Sequence, residues 1–359
     1  MCANGTLDEQ VTALPHEEAS ASAHLPSAIC HPSSDATIFQ TPNYLMSYRR
    51  VFGAGKAFVR LRKGEASAFL QIRGRSARRL EWWGAGIHDL GGASGSAANI
   101  PALWRRINAQ ADDCDGASLA QIAAESPLVA LAQRDGWTVS EAEACPVTVL
   151  PLTWEAYVAS LGKNMREQIK RYPKRLEKEF RVEHELAQTP EQVTTALDDL
   201  FRLHGKRWRA RGQTGVLATP RRQKFHRLLC EKLRAHDQLR LWTLRCDGQA
   251  VCVLLSYFYE GRYSFFIGGF EPEMQRWSVG TCGFARVLRH AIEEGATEFD
   301  FLRGEEEYKY RYGAQNRAYV TLSKFAPTPR GKLLRRRVLL EEAALRKLHE
   351  KFSAAHRKS

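Results

Sequence analysis

Residues 299–313 read FDFLRGEEEYKYRYG, and this stretch decides the architecture expected for the second half of the chain. An apolar run typical of a buried strand ends at Gly304, and a charged, tyrosine-rich segment follows directly. Asp300 lies between Phe299 and Phe301, so strand alternation places both rings on one face and the carboxylate on the other. A buried carboxylate needs a partner or a raised pKa. We therefore interpret this stretch as a strand end at the rim of a site.

The segments around this stretch predict one lobe over residues 181–326, with the order β-αα-βββ-α-β-α-β. Three consecutive strands form a meander, because their turns read Cys-Asp-Gly at 246–248 and Glu-Gly at 260–261, which is typical of hairpins. Ser278 is expected to cap the next helix and Gly295 to end it. The strands are predicted at 181–186, 239–245, 250–258, 263–268, 298–302 and 319–325.

The first half of the chain predicts another lobe over residues 41–150, with several short strands between Gly-containing turns. Residues 1–40 are rich in Ala, Ser, His and Pro without periodicity, so we expect a disordered tail. Residues 151–180 form a basic helical connector, in which Pro173 should kink or divide the helix. Residues 327–359 predict a basic amphipathic helix, with an apolar stripe of Leu334, Val338, Leu345, Leu348 and Phe352.

The charge of the chain is strongly positive and localised. The formal net charge is +13, and residues 202–227 contain nine basic residues and no acidic one. Residues 163–181 carry a net charge of +5 (eight basic, three acidic), and residues 330–359 carry +7 (ten basic, three acidic). Such a field favours an anionic partner, which could be a phosphate-rich cofactor, a nucleic acid or a membrane surface. The alternative is a generic basic surface.

The composition is that of a globular protein, with 44% hydrophobic and 26% charged residues. No apolar run approaches the roughly 20 residues that a membrane-spanning helix needs. The first 48 residues contain no Lys or Arg, so the basic start of a secretory signal is missing and we expect a cytoplasmic protein. The eight cysteines include no CxxC pair, so we expect reduced core residues and no metal site.

Two other segments contain candidate binding residues. One face of the helix predicted in LHGKRWRARG (203–212) suits an anionic or sugar-like ligand, because it carries His204, Arg207, Trp208 and Arg211. The alternative for His204 alone is a satisfied, half-buried histidine. At the helix start near Ser278, the N–H groups and the helix dipole would form an anion site, and the alternative is an ordinary helix cap.

The chain resembles GNAT acyltransferases, and within them the cellulose-biosynthesis-associated (CelD type) acetyltransferases, whose structural relatives are the Fem-type peptidyltransferases. The resemblance runs from about Phe39 to Phe325 and implies an α/β (α+β) fold. It implies two GNAT-like lobes, each a mixed, mostly antiparallel sheet flanked by helices. The residues that carry it are LHGKRWRARG (203–212), FH (225–226), SFFIGGFEP (264–272), SVG (278–280) and residues 299–313.

This resemblance implies acyl-CoA, most simply acetyl-CoA, as the co-substrate. Its pyrophosphate would lie at the start of the helix that begins near Ser278, beside the third strand of the meander. The implied contacts are Ile267, Gly268, Ser278, Val279, Gly280 and Thr281. The chain departs from the family pattern at this point, because the usual Arg/Gln-x-x-Gly-x-Gly/Ala loop is replaced by QRWSVGTCG (275–283). Smaller departures are Val279 for Pro, Glu271 and Glu305 for Asp, and Tyr312 for Trp.

Acyl transfer needs a base for the nucleophile, donors for the oxyanion and an acid for the leaving thiolate. The candidate bases are Asp300 and Glu306, and the candidate acid is Tyr308 or Tyr312. A partner for Asp300 would come from Arg303, His204 or Arg207.

The same charged stretch also contains candidate acceptor contacts, namely Arg303 and Lys309. Its alternative role is structural, because Glu305–Lys309 and Glu307–Arg311 have the spacing of helical ion pairs.

Three functions follow from these patterns. The first is transfer of an acyl group from acyl-CoA to an amine or hydroxyl of a polar acceptor, related to carbohydrate or cell-envelope synthesis. The second is aminoacyl transfer from tRNA, which the resemblance to Fem-type enzymes and the basic connector favour. The basic face of the connector has no aromatic residue other than Tyr172 for base stacking. The third is non-catalytic binding of an anion or nucleic acid. The C-terminal helix could lie on an anionic membrane or pack on the second lobe.

Overall fold

Two mixed β-sheets, both flanked by helices, make up the protein, as the sequence predicts. The computed structural model describes residues 36–210 and 212–356, with the backbone alone for residues 342 and 344–356. The first part of the chain forms, in order, α1 (Pro42–Phe52), β1 (Ala57–Lys63), β2 (Ala66–Arg73), β3 (Arg79–Trp82), α2 (Ile100–Asp112), β4 (Gly116–Ala123), α3 (Pro127–Arg134), β5 (Thr138–Glu141) and β6 (Cys145–Val149).

The second part begins with two helices and continues with the predicted meander. Its elements are α4 (Trp154–Ser160), α5 (Lys163–Glu179), β7 (Val182–Leu186), α6 (Pro190–Arg209), α7 (Pro220–Ala235), β8 (Leu239–Cys246), β9 (Gln249–Tyr259), β10 (Arg262–Phe270), α8 (Val279–Glu293), β11 (Glu298–Asp300), α9 (Glu307–Arg311), β12 (Gln315–Arg317), β13 (Tyr319–Phe325) and α10 (Pro329–His356). Short 3₁₀ turns lie at Ile38–Gln40, Ala97–Asn99 and Pro272–Trp277.

The two sheets exchange strands, so the expected lobe boundaries at residues 150 and 181 do not separate them. The first sheet has the order β1-β2-β3-β4-β13-β5, and the second has the order β12-β6-β11-β10-β9-β8-β7. β13 comes from the second part of the chain and pairs with β4 and β5, where Leu322 is fully buried. β6 comes from the first part and pairs with β11 and β12. The expected ranges 41–150 and 181–326 therefore each lack one strand of their own sheet.

The end of the expected disordered tail is ordered, so that prediction is wrong for residues 36–40. Thr37 caps the turn Ile38–Gln40, and Ile38 and Phe39 are buried. The Phe39 ring packs edge-on against Tyr44 and Tyr257, which ties this segment to the second sheet. Apolar burial fixes the segment although its sequence has no periodicity. Residues 1–35 lie outside the described residues.

Two helices differ from expectation in their details. α5 runs unbroken through Pro173 and packs Met165, Ile169 and Leu176 into the core against α8, so the proline does not divide it. α10 packs on the first sheet, against β4 and β13, through Leu334 and Val338. Leu345, Leu348 and Phe352 lie beyond the side chains that the structure describes. Within its described residues, none of the helices has an apolar segment long enough to cross a membrane.

The strand exchange predicts that both sheets unfold together. Leu322→Ala removes a fully buried side chain from β13 and should lower the free energy of unfolding by about 2–5 kcal/mol. Urea unfolding followed by circular dichroism and tryptophan fluorescence should show one coincident transition, shifted to lower urea in the variant. The exposed Leu339→Ala should change stability by less than about 0.5 kcal/mol. Two separate transitions would contradict the coupling of the sheets.

Candidate functional site

A gap opens in the second sheet where β10 and β11 separate. The two strands pair in parallel only over Arg262–Ser264 and Glu298–Asp300. β10 continues to Phe270, and in the described residues its remaining part pairs with β9 alone. Unpaired N–H and C=O groups of β10 therefore face the gap, and they can accept an extended ligand as an added strand.

Asp300 ends β11 and turns the chain away from β10. Its Oδ1 accepts a hydrogen bond from the Leu302 N–H at 2.7 Å, as in an Asx turn. Leu302 has a positive φ of 55°, which a strand cannot contain. The turn directs the chain into the loop before α9, so the predicted strand 298–302 stops two residues early.

Lys309 holds this loop from inside the protein. Its buried ammonium group donates to the carbonyls of Leu302, Arg303 and Gly304, at 3.3, 2.8 and 2.9 Å. It also forms an ion pair with Glu306 at 2.9 Å. A lysine has three N–H donors, so these contacts use them all. Lys309 therefore differs from the expected acceptor contact and acts on the backbone of its own loop.

The expected ion pairs of this stretch form only in part. Glu307 and Arg311 pair at 3.0 Å on the surface. Glu305 does not meet Lys309, because it accepts hydrogen bonds from Asn316 at 2.6 Å and from the Tyr310 hydroxyl at 3.4 Å. Lys309 points inward instead, since the loop carbonyls need donors.

A bulge in β10 lies beside the gap. The register against β9 shifts between Phe265 and Ile267, so Phe266 is the extra residue and is half-buried. α6 crosses β10 closely just after the bulge, because a Cβ at Gly269 would lie 2.9 Å from the His204 nitrogen. The bulge changes the backbone direction of β10 beside the gap.

The start of α8 follows β10 after one 3₁₀ turn. Ser278 has a left-handed conformation (φ 52°) and makes no side-chain cap, which differs from its expected capping role. The N–H groups of Val279, Gly280 and Thr281 are thus left for another acceptor in the first turn. A Cβ atom added at Gly280 would lie 3.1 Å from the Phe270 ring, which is a tight contact. Glycine leaves the space beside the helix start open. The Val279 side chain itself is buried in the core.

Three guanidinium groups lie on rings next to this helix start. Arg207 lies over Phe270 at 5.1 Å from the ring centroid. Arg175 and Arg276 lie over Trp277, at 4.6 and 5.3 Å. Since Phe270 also borders Gly280, these cations surround the first turn of α8 and favour an anion there.

Tyr308 closes one side of this region. Its ring packs on Phe284 of α8 and on Phe301, with centroids 5.8 and 6.4 Å apart. Burial raises the pKa of Tyr308, and the nearby Glu306 carboxylate raises it further, whereas Arg207 opposes the shift. The hydroxyl therefore keeps its proton at neutral pH. Tyr308 and Glu306 thus belong to one group with Arg207.

Asp300 belongs to a different group, on the other face of β11. It is fully buried, and its Oδ2 has no hydrogen-bond partner in the described part of the chain. Burial raises the pKa of Asp300, while Arg262 and the Leu302 N–H lower it. Two of its expected partners bind elsewhere, since Arg303 pairs with Asp89 and His204 with Trp208. Arg262 and Arg317, whose charges act on Asp300, bind Glu298 at 3.2 and 2.6 Å.

Arg303 joins the two lobes through Asp89. Its Nε donates to Asp89 Oδ1 at 2.8 Å, across 214 positions of sequence. Tyr44 and Tyr257 are fully buried in this region, and neither hydroxyl has a hydrogen-bond partner among the described residues. Burial and the Asp89 charge raise the pKa of Tyr44. Sequence reasoning missed Asp89, Tyr44 and Tyr257, since no local pattern links them to Arg303.

The expected binding face of α6 is largely covered. His204 is buried, and its Nε2 accepts a hydrogen bond from Trp208 Nε1 at 2.8 Å. A Cβ at Gly215 would collide with both rings, so the following loop closes over them. Burial lowers the pKa of His204 to about 4, so it is neutral at pH 7. Arg207 alone of the expected face reaches the gap region, and Arg211 lies outside the described residues.

The cysteines in the described part of the chain are core side chains. Those that the structure describes are all buried and unpaired, and burial raises the pKa of Cys252 and Cys282 near the start of α8. Among the described residues, no group of three or more His, Cys, Asp or Glu side chains could hold a metal ion.

Comparison with known families finds an acetyltransferase match over the elements that form this site. The family model described as acetyltransferase (GNAT) domain matches residues 163–310, which include α5, the meander, α8 and most of α9. None of the curated proteins compared with the chain matches its sequence.

Solved structures share the fold at low sequence identity. FemX is 11% identical with a TM-score of 0.65, over 83% of this chain and 94% of that chain. L-PGS from Bacillus licheniformis is 15% identical with a TM-score of 0.55, over 82% and 95% of the two chains. A C-terminal domain (DUF2156) from Agrobacterium fabrum is 13% identical with a TM-score of 0.55, over 82% and 91%. Residues 163–310 therefore match a GNAT acetyltransferase domain, and this match supports an acyltransferase.

Proposed function

We propose that the protein transfers an acyl group, most simply acetyl from acetyl-CoA, to an amine or hydroxyl of a polar acceptor. The observation that carries this proposal is the open edge of β10 next to the uncapped start of α8. The gap receives an extended, amide-containing arm, and the helix start receives a phosphate. One donor with both parts is an acyl-CoA.

The residues around the gap fit such a donor. The amides of the pantetheine arm would pair with the free edge of β10, which includes Ile267 and Gly268. The pyrophosphate would accept hydrogen bonds from the N–H groups of residues 279–281, with Ser278 and Thr281 at its side. Arg207 and Arg175 supply positive charge nearby without needing the usual glycine-rich loop. The departure of QRWSVGTCG from the family pattern is thus compatible with acyl-CoA.

The chemistry follows from the same neighbourhood. The acceptor nitrogen or oxygen bonds to the acyl carbon, and the carbon–sulfur bond breaks. Backbone N–H groups at the Phe266 bulge would bind the oxyanion. Tyr308, whose hydroxyl is protonated at neutral pH, gives its proton to the leaving thiolate. Glu306 is the proposed base for the acceptor proton, and Asp300, on the other face, positions the strand end.

The acceptor would enter between the lobes. Arg303 and Asp89 supply a half-buried charged pair there, and Tyr44 and Tyr257 each have a hydroxyl without a partner in the described residues. Hydroxyl and amide groups of a polar acceptor would satisfy these atoms. This supports a carbohydrate or cell-envelope acceptor and, with the motifs at 203–212 and 299–313, a place in the CelD-type branch.

Aminoacyl transfer from tRNA is the second candidate. α5 exposes Lys163, Lys170, Lys174, Arg175 and Lys178, a basic track of the kind that a nucleic acid needs. The fold shared with FemX is compatible with this donor class, which the resemblance to Fem-type enzymes implies. The same gap would then hold the aminoacyl end.

Donor binding separates the two candidates. We expect calorimetric titration of the purified chain to show one saturable site for acetyl-CoA and for CoA. Gly280→Val should weaken this binding at least tenfold, because the new side chain lies at the helix start against Phe270. Gly162→Ala is the matched control, since its added methyl meets nothing within 4 Å. Salt-dependent binding of a mixed tRNA pool without any response to CoA would favour the second candidate. If the chain bound neither acetyl-CoA nor tRNA tightly, both candidate functions would be contradicted.

Removal of one hydroxyl tests the proposed acid. Tyr308→Phe keeps the ring packing on Phe284 and should lower the rate of acyl transfer about 100-fold at unchanged melting temperature. The assay measures CoA release from acetyl-CoA with a panel of amine and sugar acceptors. Tyr310→Phe is the control in the same helix, and it should keep full activity. Equal rates for both variants would remove Tyr308 from the mechanism.

The raised pKa of Asp300 predicts a pH dependence of stability. The folded state favours the protonated carboxyl, so this group contributes stability below its unfolded pKa, and that stability is lost as pH rises through the raised folded pKa. Asp300→Asn should remove this loss, because asparagine keeps the oxygen that accepts from Leu302 but carries no charge. Urea unfolding at several values between pH 4 and pH 8 measures the difference. If the free energies of unfolding of the parent and the variant differed by a constant amount over this range, the pKa of Asp300 would be the same in the folded and unfolded states.

A further inference from the structure

The solvent-facing side of α10 combines exposed leucines with basic residues. Leu333, Leu339 and Leu340 are 67%, 50% and 72% exposed. They make up half of the large apolar side chains exposed in the described part of the chain; the others are Val149, Leu152 and Val216. The inward side of the helix is already occupied, since Leu334 and Val338 are buried. The outer leucines therefore have no role in the core.

The same segment carries only positive charge. No Asp or Glu occurs from residue 327 to residue 340. The first acidic residue after it, Glu341, pairs with Arg79 at 2.9 Å and with Arg337 at 3.0 Å. The basic side chains exposed on the helix are Arg330, Lys332, Arg335, Arg336 and Arg337.

Helical spacing places these groups on one surface. Leu333 and Leu340 are seven residues apart, so they lie on the same side, with Arg336 and Arg337 between them. Lys332 and Arg335 precede Leu339 by seven and four residues, so these three side chains lie together on the adjoining side. The outer surface thus combines apolar side chains with basic ones, and both kinds of side chain contribute to binding at an anionic membrane interface.

We propose that this outer surface of α10 docks the protein on an anionic lipid bilayer. The leucines would enter the boundary between headgroups and acyl chains, and the basic residues would contact lipid phosphates. A nucleic acid fits less well, because it would leave the leucines unused and residues 327–341 contain no aromatic side chain for base stacking. A second copy of the helix would bring two sets of five positive charges together. The proposal is independent of the acyl donor.

Vesicle binding of the full chain tests this proposal. We expect co-sedimentation with vesicles of phosphatidylglycerol and phosphatidylcholine, weaker binding at high salt, and little binding to phosphatidylcholine alone. The double variant Leu333→Ser/Leu340→Ser should bind at least tenfold more weakly. Arg335→Gln and Arg336→Gln should each weaken binding about fivefold. All four positions are exposed, so melting temperatures should stay within a degree or two of the parent.

Leu152→Ser is the matched control, because Leu152 is 98% exposed but precedes α4, away from this helix. It should leave vesicle binding unchanged. Unaltered binding by the leucine double variant would overturn the proposal, and so would equal binding to neutral vesicles. Loss of vesicle binding when RNA is added in excess, with leucine variants unaffected, would assign the surface to nucleic acid. A dimer in sedimentation equilibrium that Leu333→Ser/Leu340→Ser dissociates would assign it to a second copy.

Discussion

The gap between β10 and β11 depends on one buried ammonium group, that of Lys309. Three consecutive carbonyls at residues 302–304 turn inward when the chain leaves β11, and Lys309 donates to all three. Each carbonyl left without a donor would cost about 1–3 kcal/mol, so the loop could not keep this path with an apolar side chain there. The path matters because it decides where α9 begins. It thereby places Glu306 and Tyr308 beside the start of α8.

The site also depends on the first lobe. β6 covers the outer edge of β11, and Asp89 holds Arg303 from across the lobe boundary. Tyr44 of α1 and Tyr257 of β9 meet through the ring of Phe39. The acetyltransferase match begins at Lys163, yet the wall on which an acceptor would lie contains residues before that point. The proposed functional unit is therefore larger than the matched domain.

The sequence predicts most local features of the second half, and fewer of its long-range contacts. The meander, its two tight turns, the long helices α6 and α7 and the order of elements follow from periodicity and turn residues. Which sheet β6 and β13 join could not be predicted, because strand pairing is decided by partners far away in sequence. The inward direction of Lys309 was missed for a related reason, since helical spacing offered Glu305 as a surface partner. The Asp89–Arg303 pair leaves no local signal at all.

The position of β13 between β4 and β5 has a consequence for biosynthesis. A ribosome delivers the first sheet from β1 to β5 long before it delivers β13, and all of the second sheet is translated in between. Until about residue 325 has left the exit tunnel, β4 has an open edge and β5 has no neighbour. The amino-terminal half must therefore wait, incomplete, while the later half is made. A chaperone that shields open sheet edges would act during that interval, and premature termination before residue 319 would leave the first sheet without β13.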